Sequence, residues 1–186
     1  MNPDGDVPAA WGGFDAVDAV RRIEFIPTVL RLIQEHTGMG WSGVARVTED
    51  SWTACAVNDS IGLGLAPGDP LDVETTLCIE VRRGNQPVAI SHASQDAVYA
   101  SHACPKMYRF ESYVSVPIVL PGGEYFGNLC GLDPNPHPVS DARTLAMFEA
   151  YASLIACYVE VERQRDAAQA ALMLRMRGGE TKSVPR

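Results

Sequence analysis

Two strand-like runs, Tyr113–Leu120 and Tyr125–Leu132, flank the turn Pro121-Gly122-Gly123-Glu124, and this hairpin constrains the fold more than any other feature of the chain. The first run is rich in Val with one Ile, the second opens on Tyr125 and Phe126, and the glycines supply the reversal between them. Pro117 sits inside the first run without an N–H to donate, which predicts an edge or bulged position. A second hairpin is expected from Trp41–Thr48 and Ser51–Val57, separated by Glu49 and Asp50. A period of two puts Trp52, Ala54 and Ala56 on one face, so Trp52 is expected to be a packing residue whose removal lowers stability.

Helical periodicity brackets these strands. From Phe14 to Thr37, Val17, Val20, Ile23, Ile26, Val29, Leu30 and Ile33 recur at helical spacing; Gly38 is a stop signal and Pro27 kinks or splits the helix. Asp59–Asp72, with three Gly and two Pro, reads as a loop. A short helix from about Val73 to Arg83 ends near Gly84, Val88–Ser91 is a brief strand, and a mixed helical and loop stretch runs to Arg109. Ser140 is the expected N-cap of a long helix, with Asp141 in its first turn and no Gly or Pro before Gly178. This order predicts an α+β fold, an antiparallel sheet with helices packed on it.

At 186 residues the chain has room for one domain with a real core. Residues 1–13, with two Pro, three Gly and no periodic apolar pattern, read as a flexible leader, and 178–186 as a disordered tail. A net charge of −8 disfavours a phosphate backbone, so no nucleic-acid partner is expected. The most apolar runs, such as Tyr113–Leu120, fall far short of about 20 residues, so no membrane insertion is expected either. Met1–Ala10 holds two Asp and no basic residue, unlike a secretory signal, and the expected location is the cytoplasm. There the sequon Asn58-Asp59-Ser60 would not be glycosylated. Five cysteines without Cys-x-x-Cys spacing suit reduced thiols, mostly in the core, better than a disulfide framework or zinc knuckle.

Several blocks then match a known family in order: Thr37-Gly38-Met39-Gly40, Val44–Asp50, Trp52 with Ala54–Val57, Glu74–Cys78, Pro105–Tyr108, Ser112–Ile118 and Phe126–Pro134. The chain resembles a GAF domain of the kind found in bacterial sensor histidine kinases, over residues 20–162. The resemblance implies a GAF-type central antiparallel β-sheet, with N- and C-terminal helices bundled on one face and a ligand pocket on the other. It leaves function open, because this scaffold serves many ligands.

The same resemblance implies where a site would lie. Asp96–Tyr113 gathers Tyr99, His102, Cys104, Tyr108 and Tyr113 just before a strand, a region that covers the pocket in GAF domains. An unidentified small molecule is therefore expected to meet Asp96, His102, Cys104, Tyr108, Tyr113 and Ser115, with Cys78 nearby; Cys104 is placed at the rim. The alternative for this segment is a solvated surface helix and loop. Gly62-Leu63-Gly64-Leu65-Ala66-Pro67-Gly68 lacks phosphate-loop spacing and context and reads as a flexible loop.

No cofactor is assigned. Phytochrome-like GAF domains attach a bilin through a cysteine in the region of Cys104, usually followed by His; here Pro105 follows, and the Pro-x-Ser-Asp-Ile-Pro pattern is absent. Haem through His92 or His102 would rest on a lone histidine. The catalytic alternative is free methionine sulfoxide reduction, with Cys78 and Cys104 as thiol pair. Tyr113 stands where that enzyme's motif has an acid, and only Asp133 matches its Asp-x-Asp pair. The expected role is thus a non-enzymatic sensory or regulatory module of bacterial signal transduction.

Output is expected through the last helix. Leu145, Phe148, Tyr151, Ala152, Ile155, Tyr158 and Val159 form an apolar stripe, then Glu162–Asp166 is charged and Ala167–Leu174 strongly helix-favouring. Residues 163–177 read as a helical extension, with Leu154, Val161 and Ala168 at heptad spacing before Arg175 interrupts it. A homodimer through the terminal helices is expected. The 24 residues after Glu162 cannot hold a phosphoacceptor helix and an ATP-binding domain, so a kinase domain or downstream signalling protein would receive the signal.

Overall fold

The computed structural model describes residues 14–179, with side chains to residue 176; the expected leader 1–13 and residues 180–186 of the expected tail lie outside the described residues. Helices α1 (Ala16–Arg21) and α2 (Ile26–Thr37) lead into strands β1 (Trp41–Val47), β2 (Trp52–Asp59) and β3 (Pro70–Leu71). Next come α3 (Cys78–Gly84), β4 (Val88–Ile90), α4 (Ala103–Tyr108), β5 (Ser112–Val119), β6 (Tyr125–Asp133) and α5 (Ala142–Gly179). The six strands form one antiparallel sheet in the order β3-β2-β1-β6-β5-β4, the α+β arrangement expected.

Local chemistry sets the element ends. Pro27 splits the first helical run instead of bending it: α2 begins at Ile26, where the first turn needs no amide partner from proline. Gly38 closes α2 at φ 77°, the left-handed conformation that costs glycine least. The expected helix Val73–Arg83 divides into a 3₁₀ turn, Val73–Thr75, and α3, with extended backbone at Thr76 between them. Asp141, not Ser140, caps α5: its carboxylate accepts the N–H groups of Arg143 and Thr144 at 2.9 and 3.1 Å, while Ser140 turns to Ser91.

Both faces of the sheet are covered. On one, α1, α2 and α5 pack on Val44, Val114, Val116, Ile118, Phe126 and Leu129. Phe148 and Ile155 of α5 are fully buried there, each contributing about 1.5–3 kcal/mol by area. Arg22, just past α1, binds Glu162 and Asp166 and ties the two ends of the chain together. Although Arg143 and Glu149 interrupt it, α5 over Ala142–Met176 is long and apolar enough by length and composition to cross a membrane; 33% of its most apolar window is buried against the domain. The helix continues to Gly179, two residues into the expected tail.

Two irregularities redirect side chains. Between Val44 and Ala45 the β1–β2 register shifts, so Cys55 is an extra residue on β2. Trp52 and Ala54 therefore face away from the helices, whereas Ala56 packs on the helical face, against the expectation of a shared face. Pro117 lies on an internal strand, but β4 pairs only with Tyr113–Ser115, so the flank of β5 beyond Ser115 has no neighbour there to need a proline N–H.

The tightest approach in the sheet is at Gly127 on β6, where a Cβ would stand 1.9 Å from the Ala45 carbonyl oxygen. The three nearest atoms are all backbone of Ala45 and Arg46 on β1, so no flexible side chain can give way. Gly127→Ala is expected to lower unfolding stability by about 3 kcal/mol, read as a fall in urea midpoint at unchanged slope. Gly122→Ala, with open space around it, should stay within about 0.5 kcal/mol of the parent.

Candidate functional site

On the face opposite the terminal helices, the sheet carries an apolar cavity of about 40 Å³. Trp41 of β1, Trp52 of β2, and Cys130 and Leu132 of β6 form its floor. Leu77 and Cys78 at the start of α3 make one wall, and Cys104, Tyr108 and Phe110 in and after α4 make another. Leu63 and Leu65 reach over it from the Asp59–Asp72 loop. Gly43 makes room for Trp41, since a Cβ there would come within 2.7 Å of the indole ring.

That loop is a structured flap. The Asp59 carboxylate accepts the N–H groups of Ile61, Gly62 and Gly64 at 3.1, 2.8 and 3.0 Å. Burial pulls this carboxyl upward, but the amides of Gly64, Leu63, Ile61 and Gly62 outweigh burial and hold it below the ordinary range. Gly62, Gly64 and Gly68 all have positive φ, so the flap's path depends on glycine.

Of the residues expected to line a site, the structure brings together Cys78, Cys104, Tyr108 and Tyr113. Tyr113 stacks on Phe110 with ring centres 5.2 Å apart, and the Tyr108 hydroxyl meets Thr75 Oγ1 at 2.6 Å. His102 is not in the lining: its Nδ1 accepts the Cys104 N–H at 3.1 Å as the N-cap of α4, and its Nε2 faces Glu80 at 3.0 Å. Asp96 is also outside the lining, its carboxylate accepting the amides of Val98 and Tyr99. Ser115 lies behind the floor, bonded to Cys130 and Asn128. His92 pairs with Glu111 at 3.7 Å and does not reach the cavity.

The polar groups at and behind the floor form one chain of contacts. Asn128 Nδ2 donates to Ser115 Oγ at 2.8 Å, Ser115 meets Cys130 Sγ at 3.3 Å, and Cys130 Sγ lies 3.7 Å from Cys78 Sγ. Trp52 Nε1, which can only donate, adds a hydrogen bond to Cys78 Sγ at 3.3 Å, and the Tyr113 hydroxyl approaches it at 3.4 Å. Cys130 first, then Tyr113, Trp52 and Ser115, thus lower the Cys78 pKa against the opposing effect of burial. The Cys130 pKa rises because its proton is held by Cys78 and because it is buried. Burial pushes the Cys104 thiol up to about 12.

The sulfur beside Cys78 is that of Cys130, while Cys104, its partner in the catalytic alternative, lines the same cavity. Among the described residues no carboxylate lines the cavity. Asp133 is engaged elsewhere, accepting from Gly40 N at 2.7 Å and Asn135 N at 2.8 Å. Trp41, Cys130, Leu63 and Leu65 escaped the sequence reading. Alternation along β1, which puts Trp41 on one face with Ala45 and Val47, was the signal available for Trp41; the place of Cys130 follows from its register opposite Ser115, which only the folded sheet sets.

A sheet bundled with its terminal helices on one face, and carrying an apolar cavity on the other, defines the α+β class of this domain. The chain belongs to the GAF domain family, whose sequence pattern matches residues 21–159. No curated protein matches it in sequence. Similar solved structures include a type II free methionine-R-sulfoxide reductase from Thermoplasma acidophilum, at 16% identity and TM-score 0.58, covering 78% of this chain and 95% of that one. The blue-light absorbing form of the PixJ GAF domain of Thermosynechococcus elongatus is similar at 16% identity and TM-score 0.60, over 86% of this chain and 94% of that one. The GAF domain of an Acinetobacter phosphoenolpyruvate-protein phosphotransferase follows at 11% and 0.60, over 82% and 97%. At such identities these likenesses establish the fold alone.

The position of His102 yields a discriminating test. As an N-cap its loss in His102→Ala should cost about 1 kcal/mol in urea denaturation, and His102→Asn should recover most of it, because an Asn side chain also accepts the capping amide.

Proposed function

We propose that this chain is a sensory or regulatory module of bacterial signal transduction, working in the cytoplasm, that admits a small, largely apolar molecule bearing one hydrogen-bond acceptor. The observation that carries this reading is Trp41: its Nε1 is buried without a hydrogen-bond partner, and its ring belongs to a cavity wall that is otherwise apolar. An unpaired buried donor is destabilising by about 1–3 kcal/mol, which an acceptor on a bound molecule would offset. The 40 Å³ cavity accommodates only a few water-sized groups as it stands, so a larger ligand enters by lifting Leu63 and Leu65 with the flap. The absence of a carboxylate from the described lining favours binding over sulfoxide reduction, and the Pro105 neighbour of Cys104 argues against a bilin.

Signal output in this reading passes through α5 to a kinase domain or another downstream protein, in a homodimer related to the sensor half of a two-component kinase. Past Val159, the last buried residue of α5 among the described side chains, the helix carries exposed apolar groups: Val161 is 56% exposed, and Leu154 one heptad earlier is 42% exposed. Leu172, Met173, Leu174 and Met176 continue this surface. Paired α5 helices would cover it, and the Arg22 link to Glu162 and Asp166 would couple their position to the first helices.

Two measurements test the reading. A library of small neutral carbonyl and heteroaromatic compounds, screened by thermal shift, should contain compounds that raise the Tm of the parent; at one hundred times Kd a binder adds about 2.7 kcal/mol. Trp41→Phe should keep the fold and lose that shift, whereas an equal shift in both proteins would defeat the assignment. Light scattering should give a dimer for the full chain and a monomer for a chain ending at Glu160; a monomer in both cases would remove the dimer.

A further inference from the structure

Two thiols at the floor of the cavity stand in an arrangement that packing alone does not require. Cys78 on α3 and Cys130 on β6 are far apart in sequence, are both nearly fully buried, and have sulfurs 3.7 Å apart. Trp52 Nε1 and the Tyr113 hydroxyl converge on the Cys78 sulfur, while Ser115, itself receiving a hydrogen bond from Asn128, meets the sulfur of Cys130. An inert core thiol acts as a small hydrophobe with at most one weak hydrogen bond; Cys55, pushed up to about 12 by burial, is such a residue. Cys78 instead sits where several donors stabilise an anion on sulfur, and the thiolate is the form that reacts.

We propose that Cys78 and Cys130 are a redox-active dithiol that hydrogen peroxide, or a similarly small two-electron oxidant, converts to an intramolecular disulfide. The Cys78 thiolate attacks one peroxide oxygen, the O–O bond breaks, and Cys78 becomes a sulfenic acid as hydroxide leaves and takes up the proton that Cys78 had released. Cys130 then attacks the Cys78 sulfur; the S–S bond forms, the S–O bond breaks, and the departing hydroxide takes the Cys130 proton as water. Two thiols and one peroxide give one disulfide and two waters. Both cysteines line the cavity, which with Leu63 and Leu65 in place has about 40 Å³, room for a molecule the size of peroxide but not for a peptide disulfide.

Bond formation also has a structural output. The sulfurs must close from 3.7 Å to about 2.0 Å, drawing the start of α3 toward β6, and Trp52 and Tyr113 lose the thiolate they held. The inference stands apart from any organic ligand of the cavity.

The test uses the full chain with Cys157→Ser, which removes the exposed thiol. One equivalent of hydrogen peroxide should remove two hydrogens from the intact mass, change Trp fluorescence, and give a Cys78–Cys130 cross-linked peptide, all reversed by dithiothreitol. Oxidised glutathione should leave the pair reduced. In Cys130→Ser the reaction should stop at a sulfenic acid on Cys78, trapped by dimedone. Trp52→Phe, which keeps both thiols, should react about three- to tenfold more slowly through loss of one hydrogen bond to sulfur; this variant keeps the test open should the serine variant not fold. The proposal is overturned if the pair stays reduced under peroxide that oxidises Cys157 in the parent, if the cross-link maps to Cys104, or if Trp52→Phe reacts at the parental rate.

Discussion

Every strand of the central sheet except the two-residue β3 must answer to two interiors at once. Helices α1, α2 and α5 bury one face, while α3, α4 and the flap bury the other, so a residue displaced by one position changes from one core to the other. The close passage of β6 beside β1 at Gly127 makes this double packing feasible, because a side chain at that point would meet backbone. The extra residue on β2 then shows how the constraint is used. Cys55 and Ala56 both serve the helical face, while Trp52 and Ala54 serve the cavity.

The two faces differ in chemistry as well as in cover. The helical face is a close-packed aliphatic and phenylalanine core, with Phe126, Phe148 and Ile155 wholly inside. The other face carries two tryptophans, three thiols and two tyrosines, amphipathic groups whose polar ends need partners once water is gone. Cys78 gathers three of those partners, and the Asn128–Ser115–Cys130 chain supplies the rest. Trp41 is left with none. A low-dielectric site with one unsatisfied donor and one sulfur rich in donors is unequal by construction, and the proposed binding and thiol chemistry both rest on that inequality.

Communication between this face and α5 has a short physical route. Strand β5 carries Tyr113 and Ser115 toward the cavity and Val114, Val116 and Ile118 toward the helices, so both cores share the same backbone. A shift of α3 against β6 would therefore act on residues whose neighbours hold α5.

Much of the fold was legible in the sequence because its signals are local. Alternation marked both hairpins, glycine ended α2, and helical periodicity marked the long C-terminal helix; the family blocks supplied the sheet that joins them. Cys104, Tyr108 and Tyr113 were also readable as a group, since a short stretch of chain carries all three. His102 misled because a capping imidazole and a ligand-binding one look alike in sequence, and only the Cys104 amide decides between them. Ser140 and Asp141 differ likewise only in which oxygen reaches the helix amides. The pairing of Cys78 with Cys130, the bulge that turns Trp52 inward and the placing of Leu63 and Leu65 over Trp41 depend on contacts between distant segments. Local propensity and spacing determine which elements form; strand register and the burial of polar groups, which exist only once those elements pack, decided where the donor-rich Cys78 sulfur and the unpaired indole stand.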